Sequence, residues 1–180
     1  MADAAPVAAA PASPGVTPGQ APDTAGVTAG LKGAMRRLAS GVAIVTALGD
    51  EDVPTGMAAT SITSLTMDPP AVLVCVNRSA GIHPHLTPGC PISINLLSRH
   101  QREVSAAFGG AVAREARFGV GRWTPDAHGL PILEEAQANL SCTIDSMTPY
   151  GTHSIVIARV EAVRLSDAVD PLIFQDGAYL

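Results

Sequence analysis

Charged and aromatic residues are scarce in this chain of 180 residues, at 15% and 3% of the total. Soluble domains usually contain roughly 25% charged residues, so we expect a partner subunit to cover much of this surface. The chain has 11 Lys and Arg against 16 Asp and Glu, which gives a formal net charge of −5. This balance excludes a generic nucleic-acid binder, because contacts to phosphates need an excess of cationic side chains.

Cysteine is also rare. Cys75, Cys90 and Cys142 are an odd number without a close pair, which argues against a disulfide framework or a Cys-rich zinc site. The longest apolar runs, such as residues 71–76, are far shorter than the ~18 residues that span a bilayer. No Lys or Arg precedes Lys32, so the charged flank of a signal peptide is missing. We therefore expect a cytoplasmic protein without a membrane helix.

Two common cofactor signatures are missing as well. Neither a Gly-x-Gly-x-x-Gly turn nor a Gly-Lys-Ser/Thr loop follows any predicted strand, which argues against a Rossmann site. His83-Pro84-His85 could offer two imidazoles to a metal, but no carboxylate lies nearby in the sequence. These residues favour a surface loop, and we predict no metal site.

The chain divides by composition into a tail and one domain. Residues 1–30 are mostly Ala, Pro, Gly, Thr and Ser, which cannot bury enough surface to offset the entropy of ordering, so we predict a disordered tail. Residues 31–180 form the predicted domain, and the chain is 47% hydrophobic, enough for a sizeable core. Leu31, Met35 and Leu38 recur at helical spacing and predict a short leading helix.

Most of the domain reads as β-strand, with period-two or β-branched runs between turn residues. Strands are predicted at residues 42–45, 55–66, 71–76 (buried on both faces), 92–97, 138–147 and 153–165. One further helix over residues 99–108 follows Ser98-x-x-Gln101, the pattern of a capping box. Several short strands with few helices predict a small antiparallel barrel.

Three polar segments are candidates for ligand binding. The run from Ala58 to Ser64 places Thr60, Ser61 and other small side chains on a strand, where a planar ligand can approach the backbone. A barrel strand with a solvated face is the alternative that these residues alone favour. Asn77-Arg78-Ser79 follows a buried strand and could bind a phosphate, or it could be a polar loop with a helix cap.

The third candidate is His153, at the tip of the last predicted hairpin. A histidine there can donate a hydrogen bond or carry charge near physiological pH, although a turn histidine is more often exposed to solvent.

In their order and spacing, segments from about Leu31 to the end resemble the flavin reductase family, short NAD(P)H:flavin oxidoreductases. The matching segments are residues 35–42, 56–65, 68–70, 75–79, 94–97, 150–153 and 170–179. The resemblance implies a mainly β, antiparallel FMN-binding split barrel with a few short helices, which forms a homodimer.

Carried over by position, the resemblance also implies a set of site residues. His153 would lie close to the nicotinamide as the catalytic residue, and the flavin-binding residues would be Thr60, Ser61, Cys75, Asn77, Arg78, Ser79, Asn95 and Phe108. Arg78 and Ser79 would hold the phosphate. Many members have Gly-Asp-His where this chain has Gly151-Thr152-His153, so the choice between NADH and NADPH is open.

The implied reaction is the NAD(P)H-dependent reduction of FMN or FAD, which leaves as reduced flavin for a partner monooxygenase. The protein then needs to fix distance, orientation and charge rather than supply a nucleophile. The alternatives are a non-catalytic split barrel that binds flavin or another small ligand, and a flavin enzyme acting directly on an organic substrate.

Overall fold

The computed structural model describes residues 23–180, so the first 22 residues of the tail predicted over residues 1–30 lie outside it. The chain forms two units, which divide after Met35. The first unit contains helix α1 (Thr24–Met35), where the Asp23 carboxylate accepts a hydrogen bond from the Gly26 N–H as an N-cap does. The helix thus begins earlier than Leu31, and the last part of the predicted tail is helical.

The second unit, Arg36–Leu180, contains the β-strands and helix α2 (Arg102–Ala106), which continues into a π-helical turn. Its strands are β1 (Ser40–Gly41), β2 (Ala43–Leu48), β3 (Pro54–Ala59), β4 (Ile62–Met67), β5 (Pro70–Asn77), β6 (Pro91–Leu96), β7 (Trp123–Pro125), β8 (Pro131–Leu133), β9 (Ala138–Tyr150), β10 (His153–Leu165), β11 (Ile173–Gln175) and β12 (Ala178–Tyr179). Neither helix within residues 23–180 is long and apolar enough to cross a membrane.

Seven strands form one antiparallel sheet in the order β3-β2-β6-β9-β10-β5-β4. Its two edge strands, β3 and β4, are joined by Thr60 and Ser61 alone. Two residues span only about 10 Å with their flanking bonds, so the edges must lie close together and the sheet curves into a barrel. The predicted antiparallel barrel is confirmed.

Side chains alternate across each strand, and one set fills the barrel. On β5, Val72, Val74 and Val76 are buried, whereas Leu73 and Cys75 are only half-buried on the outer face. The prediction that this strand is buried on both faces is therefore wrong. A barrel wall has one inner face, and the outer face of β5 borders the candidate site described below.

Two other predicted elements differ in extent. The strand predicted over residues 55–66 is divided at Thr60 and Ser61 into β3 and β4. The helix predicted from residue 99 begins at Arg102, because the Ser98 hydroxyl donates to the Glu135 carbonyl instead of capping the first turn. The other half of the capping box forms, since the Ser98 N–H donates to the Gln101 side-chain carbonyl.

Candidate functional site

The site begins at the seam where the barrel closes. Ser61 links the seam to β5 twice: the Cys75 N–H donates to the Ser61 carbonyl (3.1 Å), and the Ser61 hydroxyl donates to the Cys75 carbonyl (3.0 Å). Thr60 is exposed, and its hydroxyl has no hydrogen-bond partner within residues 23–180. The seam therefore presents one free hydroxyl beside a backbone that Ser61 holds in place.

A groove of about 840 Å³ runs along the seam. Its walls include Thr60, Ser61 and Cys75, the segment from Leu38 to Ala43, and Val169, Pro171 and Leu172. Most of the lining is apolar, with a few hydroxyls, which is the usual character of a site for a flat organic ligand. The structure thus places three of the predicted flavin-binding residues together.

The wall near Val169 is fixed by polar contacts that sequence analysis did not identify. The Gln137 side-chain carbonyl accepts a hydrogen bond from the Asp170 N–H at 2.8 Å, and the Arg99 guanidinium donates to the Asp170 carboxylate at 2.8 Å. Gln137 itself lines the groove. No sequence signal pairs Gln137 with a segment 33 residues away, so these positioning residues could be found only in the fold.

A second cavity, of about 670 Å³, lies where β5 ends. It is lined by Asn77, Arg78, Ser79, His83, Gly151 and Thr152. The Asn77 side-chain carbonyl accepts hydrogen bonds from both the N–H and the hydroxyl of Ser79, each at 2.9 Å, which closes the loop around Arg78. The exposed Arg78 guanidinium makes no ion pair or hydrogen bond within the described residues and is free to meet an anion.

His153 begins β10 beside this cavity, because it pairs with Asn77 in the β5–β10 register. The ring is exposed, and its Nδ1 lies 2.9 Å from the Thr152 hydroxyl. That contact leaves Nε2 as the nitrogen available to a ligand. The structure thus brings His153 together with the Asn77-Arg78-Ser79 loop, which sequence position alone does not show.

Asn95 does not reach the groove. It is fully buried, and its amide donates to the Ile44 carbonyl at 3.1 Å. Its side-chain carbonyl accepts from the Leu133 N–H at 2.9 Å and from the Asn139 amide at 2.8 Å. Since these contacts join β2, β6, β8 and β9, the expectation that Asn95 borders the flavin is replaced by a structural role.

Phe108 is likewise part of the core. It is 3% exposed and packs at 5.1 Å from the Phe118 ring and at 5.3 Å from the Trp123 ring, measured between centroids. Its ring lies so close to Gly56 that a Cβ there would come within 2.8 Å of the Phe108 Cε1. The structure therefore places Phe108 behind β3 and not in the groove.

The cysteines differ in environment. Cys142 points into the barrel, and burial, with a smaller contribution from the Glu161 charge, raises the pKa of its thiol to about 12. Cys75 is half-buried in the groove wall. Within the described residues no group of three or more His, Cys, Asp or Glu could hold a metal ion.

Comparisons with known proteins identify relatives of this chain. The flavin reductase like domain family matches residues 35–180. The FMN reductase (NADH) RutF of Variovorax paradoxus is 35% identical over 82% of this chain and 82% of its own. The reductase component of the FADH(2)-dependent resorcinol hydroxylase of a Rhizobium species is 34% identical, over 81% of this chain and 82% of its own.

Solved structures show the same fold. The styrene monooxygenase flavin reductase of Pseudomonas putida superposes with a TM-score of 0.75 at 32% identity, covering 83% of this chain and 95% of that one. The NADH:FAD oxidoreductase SgcE6 of Streptomyces globisporus, solved with NAD and FAD fragments, gives a TM-score of 0.77 at 28% identity, covering 85% and 91%. The resemblance predicted from the sequence is confirmed, and this chain belongs to the flavin reductase like domain family.

Proposed function

We propose that this protein is an NADH-dependent flavin reductase that releases reduced flavin to a partner monooxygenase. The observation that carries the proposal is the groove of about 840 Å³ at the barrel seam. Cys75 in this groove and Asn77 in the polar loop around Arg78 lie on the same outer face of β5. Relatives named FMN reductase (NADH), and reductase components of two-component hydroxylases and monooxygenases, support the same reaction.

The groove fits the ring system of a flavin. Its volume lies within the range of about 300–1,000 Å³ that is usual for small-molecule sites, and its walls are mainly apolar. Thr60 would offer a hydroxyl to the polar edge of the ring, while Ser61 keeps the seam in register with Cys75. The half-buried Cys75 side chain would lie against the ring.

The polar loop would hold the phosphate of FMN. Arg78 brings a free positive charge, and a guanidinium can donate two parallel hydrogen bonds to a phosphate. Ser79 and Asn77 contribute differently from what the resemblance implies, because both Ser79 donors are bonded to Asn77. Their role is to shape the loop that presents Arg78.

When bound, FMN would accept a hydride from NADH at its N5 atom. The chain's own part is to place the two ligands against each other. His153 would donate a hydrogen bond from Nε2 to the carboxamide of the nicotinamide, while Thr152 holds Nδ1. No described side chain is needed as a nucleophile, so His153 would act by contacting the substrate and orienting it.

The proposal is tested by NADH and NADPH oxidation with FMN, FAD and riboflavin. We expect NADH oxidation with FMN, and a lower kcat for His153→Ala than for His128→Ala, an exposed histidine in the turn between β7 and β8. Tight flavin binding without oxidation of either nicotinamide nucleotide would instead support the non-catalytic barrel. Oxidation of NADH or NADPH in the absence of any flavin would contradict both the flavin reductase and the non-catalytic barrel.

We also propose that the chain forms a homodimer. Large apolar side chains are exposed on β4 and near the end of β10, among them Met67 at 78% and Leu165 at 73%. A second copy of the chain that covered these side chains would remove their apolar surface from water, which favours association. Light scattering after size-exclusion chromatography tests this, and a monomer mass would contradict it. The cytoplasmic location and the boundary at residue 31 stay predictions.

A further inference from the structure

The two histidines of His83-Pro84-His85 have different surroundings, although they share one 3₁₀ turn. The His83 Nε2 lies 2.9 Å from the Ser154 hydroxyl and lines the cavity around Arg78. The His85 Nδ1 lies 3.7 Å from the Asp50 carboxylate instead. A 3₁₀ turn has three residues per turn, so side chains two residues apart point in different directions, one imidazole to the cavity and the other to the loop at Asp50.

The cavity needs a donor beyond Arg78 if it is to hold a phosphate. A phosphate group carries several acceptor oxygens, and the Ser79 N–H and hydroxyl are both bonded to Asn77. The Thr152 hydroxyl is paired with His153. Among the described side chains that line the cavity, Arg78, His83 and the Asn77 amide therefore carry the donors that remain free.

Ser154 fixes the orientation of His83. Its side chain is buried at 4% exposure, next to His153 on β10, so its hydroxyl is a rigid partner. When that hydroxyl donates to Nε2, the proton of a neutral imidazole is on Nδ1. Nδ1 has no hydrogen-bond partner within residues 23–180, so its N–H is unused by the described part of the chain, and His83 itself lines the cavity.

The charge around the cavity favours an anion, because among the described residues Arg78 lines it and no carboxylate does. A second guanidinium, that of Arg114, lies against the backbone at Gly81, two residues after Ser79. Arg114 does not itself line the cavity, but it makes no hydrogen bond or ion pair to a described residue, so its charge is not neutralised beside this loop.

We propose that His83 is a phosphate-binding residue of this cavity, oriented by Ser154. The proposal rests on the proposed function, since the phosphate is that of a flavin or a nicotinamide nucleotide. His83 would donate from Nδ1 to a phosphate oxygen, in addition to the hydrogen bonds that Arg78 would donate. Ser154 would be a positioning residue that acts through His83.

Equilibrium titration by flavin fluorescence tests the proposal without turnover, using FMN and the phosphate-free riboflavin. We expect His83→Ala to raise the Kd for FMN about tenfold relative to that for riboflavin, the loss of one hydrogen bond to a charged group. Ser154→Ala should weaken FMN binding by a smaller factor. His85→Ala is the matched control and should leave both constants unchanged, and unchanged riboflavin binding shows that a variant is folded.

A kinetic arm distinguishes the source of the phosphate. With riboflavin as acceptor, the KM for NADH is compared with that for 1-benzyl-1,4-dihydronicotinamide, a hydride donor without phosphate. A raised KM for NADH alone in His83→Ala would assign the phosphate to the nicotinamide nucleotide. If His83→Ala changes neither the ratio of FMN to riboflavin affinity nor the KM for NADH, or shifts all four ligands equally, the proposal is wrong. The proposed function fails separately, if the unaltered protein oxidises no NADH with any flavin.

Discussion

Asn95→Ala should destabilise the barrel without changing how the protein binds flavin. In the folded chain the Asn95 carbonyl accepts from the Leu133 N–H and the Asn139 amide, and its own amide donates to the Ile44 carbonyl. The Asn139 amide keeps its bond to the Leu133 carbonyl at 3.0 Å, but the Leu133 N–H loses its acceptor. The substitution thus leaves buried polar groups on three strands without full partners.

The expected loss of unfolding free energy can be worked out from the polar groups that lose a partner. A buried donor left unsatisfied costs about 1–3 kcal/mol, so one full and two partial losses should lower the free energy of unfolding by about 3 kcal/mol. With an m-value of about 2 kcal/mol per molar urea, the midpoint of unfolding should fall by about 1.5 M. Urea titration followed by the fluorescence of Trp123 measures this shift.

The same experiment with saturating FMN separates a structural role from a binding role. A ligand that binds only the folded state adds a stabilisation set by its Kd and concentration. Because Asn95 does not line the groove, FMN should raise the midpoint equally in the unaltered protein and in Asn95→Ala. A loss below about 1 kcal/mol together with FMN binding weakened more than tenfold would refute this reasoning and return Asn95 to the flavin.

Two further outcomes are expected. Alkylation with iodoacetamide near pH 8, read by mass spectrometry, should modify Cys75 in the groove and spare Cys142, because a thiol with a raised pKa near 12 forms little thiolate there and is also buried. Saturating FMN should protect Cys75; native labelling of Cys142 would contradict the first expectation. Gly56→Ala should lower the free energy of unfolding by about 2 kcal/mol, since its Cβ would meet the Phe108 ring at 2.8 Å and the Val45 carbonyl at 3.0 Å. Phe108→Leu in the Gly56→Ala background should recover part of that loss in thermal unfolding, and strictly additive losses would argue against the contact.

The class of fold and the loops that carry polar chemistry can be predicted from the order of the amino acids alone. Alternating strands predict an antiparallel barrel because period-two patterns show which face is buried. The small polar run at Thr60 and Ser61 and the loop at Arg78 stand out because their residue types are unusual beside buried strands. Both features depend only on residues that are close together in the sequence, so they can be recognised without the fold.

Which of those residues meet becomes visible in the folded chain. It showed that Thr60 and Ser61 close the barrel, because their strands are neighbours in sequence but lie at opposite edges of the sheet order. It placed Asn95 inside a hydrogen-bond network and brought His83 within reach of Ser154, which is 71 residues away. Contacts between residues so far apart in the sequence depend on the curvature of the whole sheet. A pattern confined to one segment of the chain does not determine that curvature.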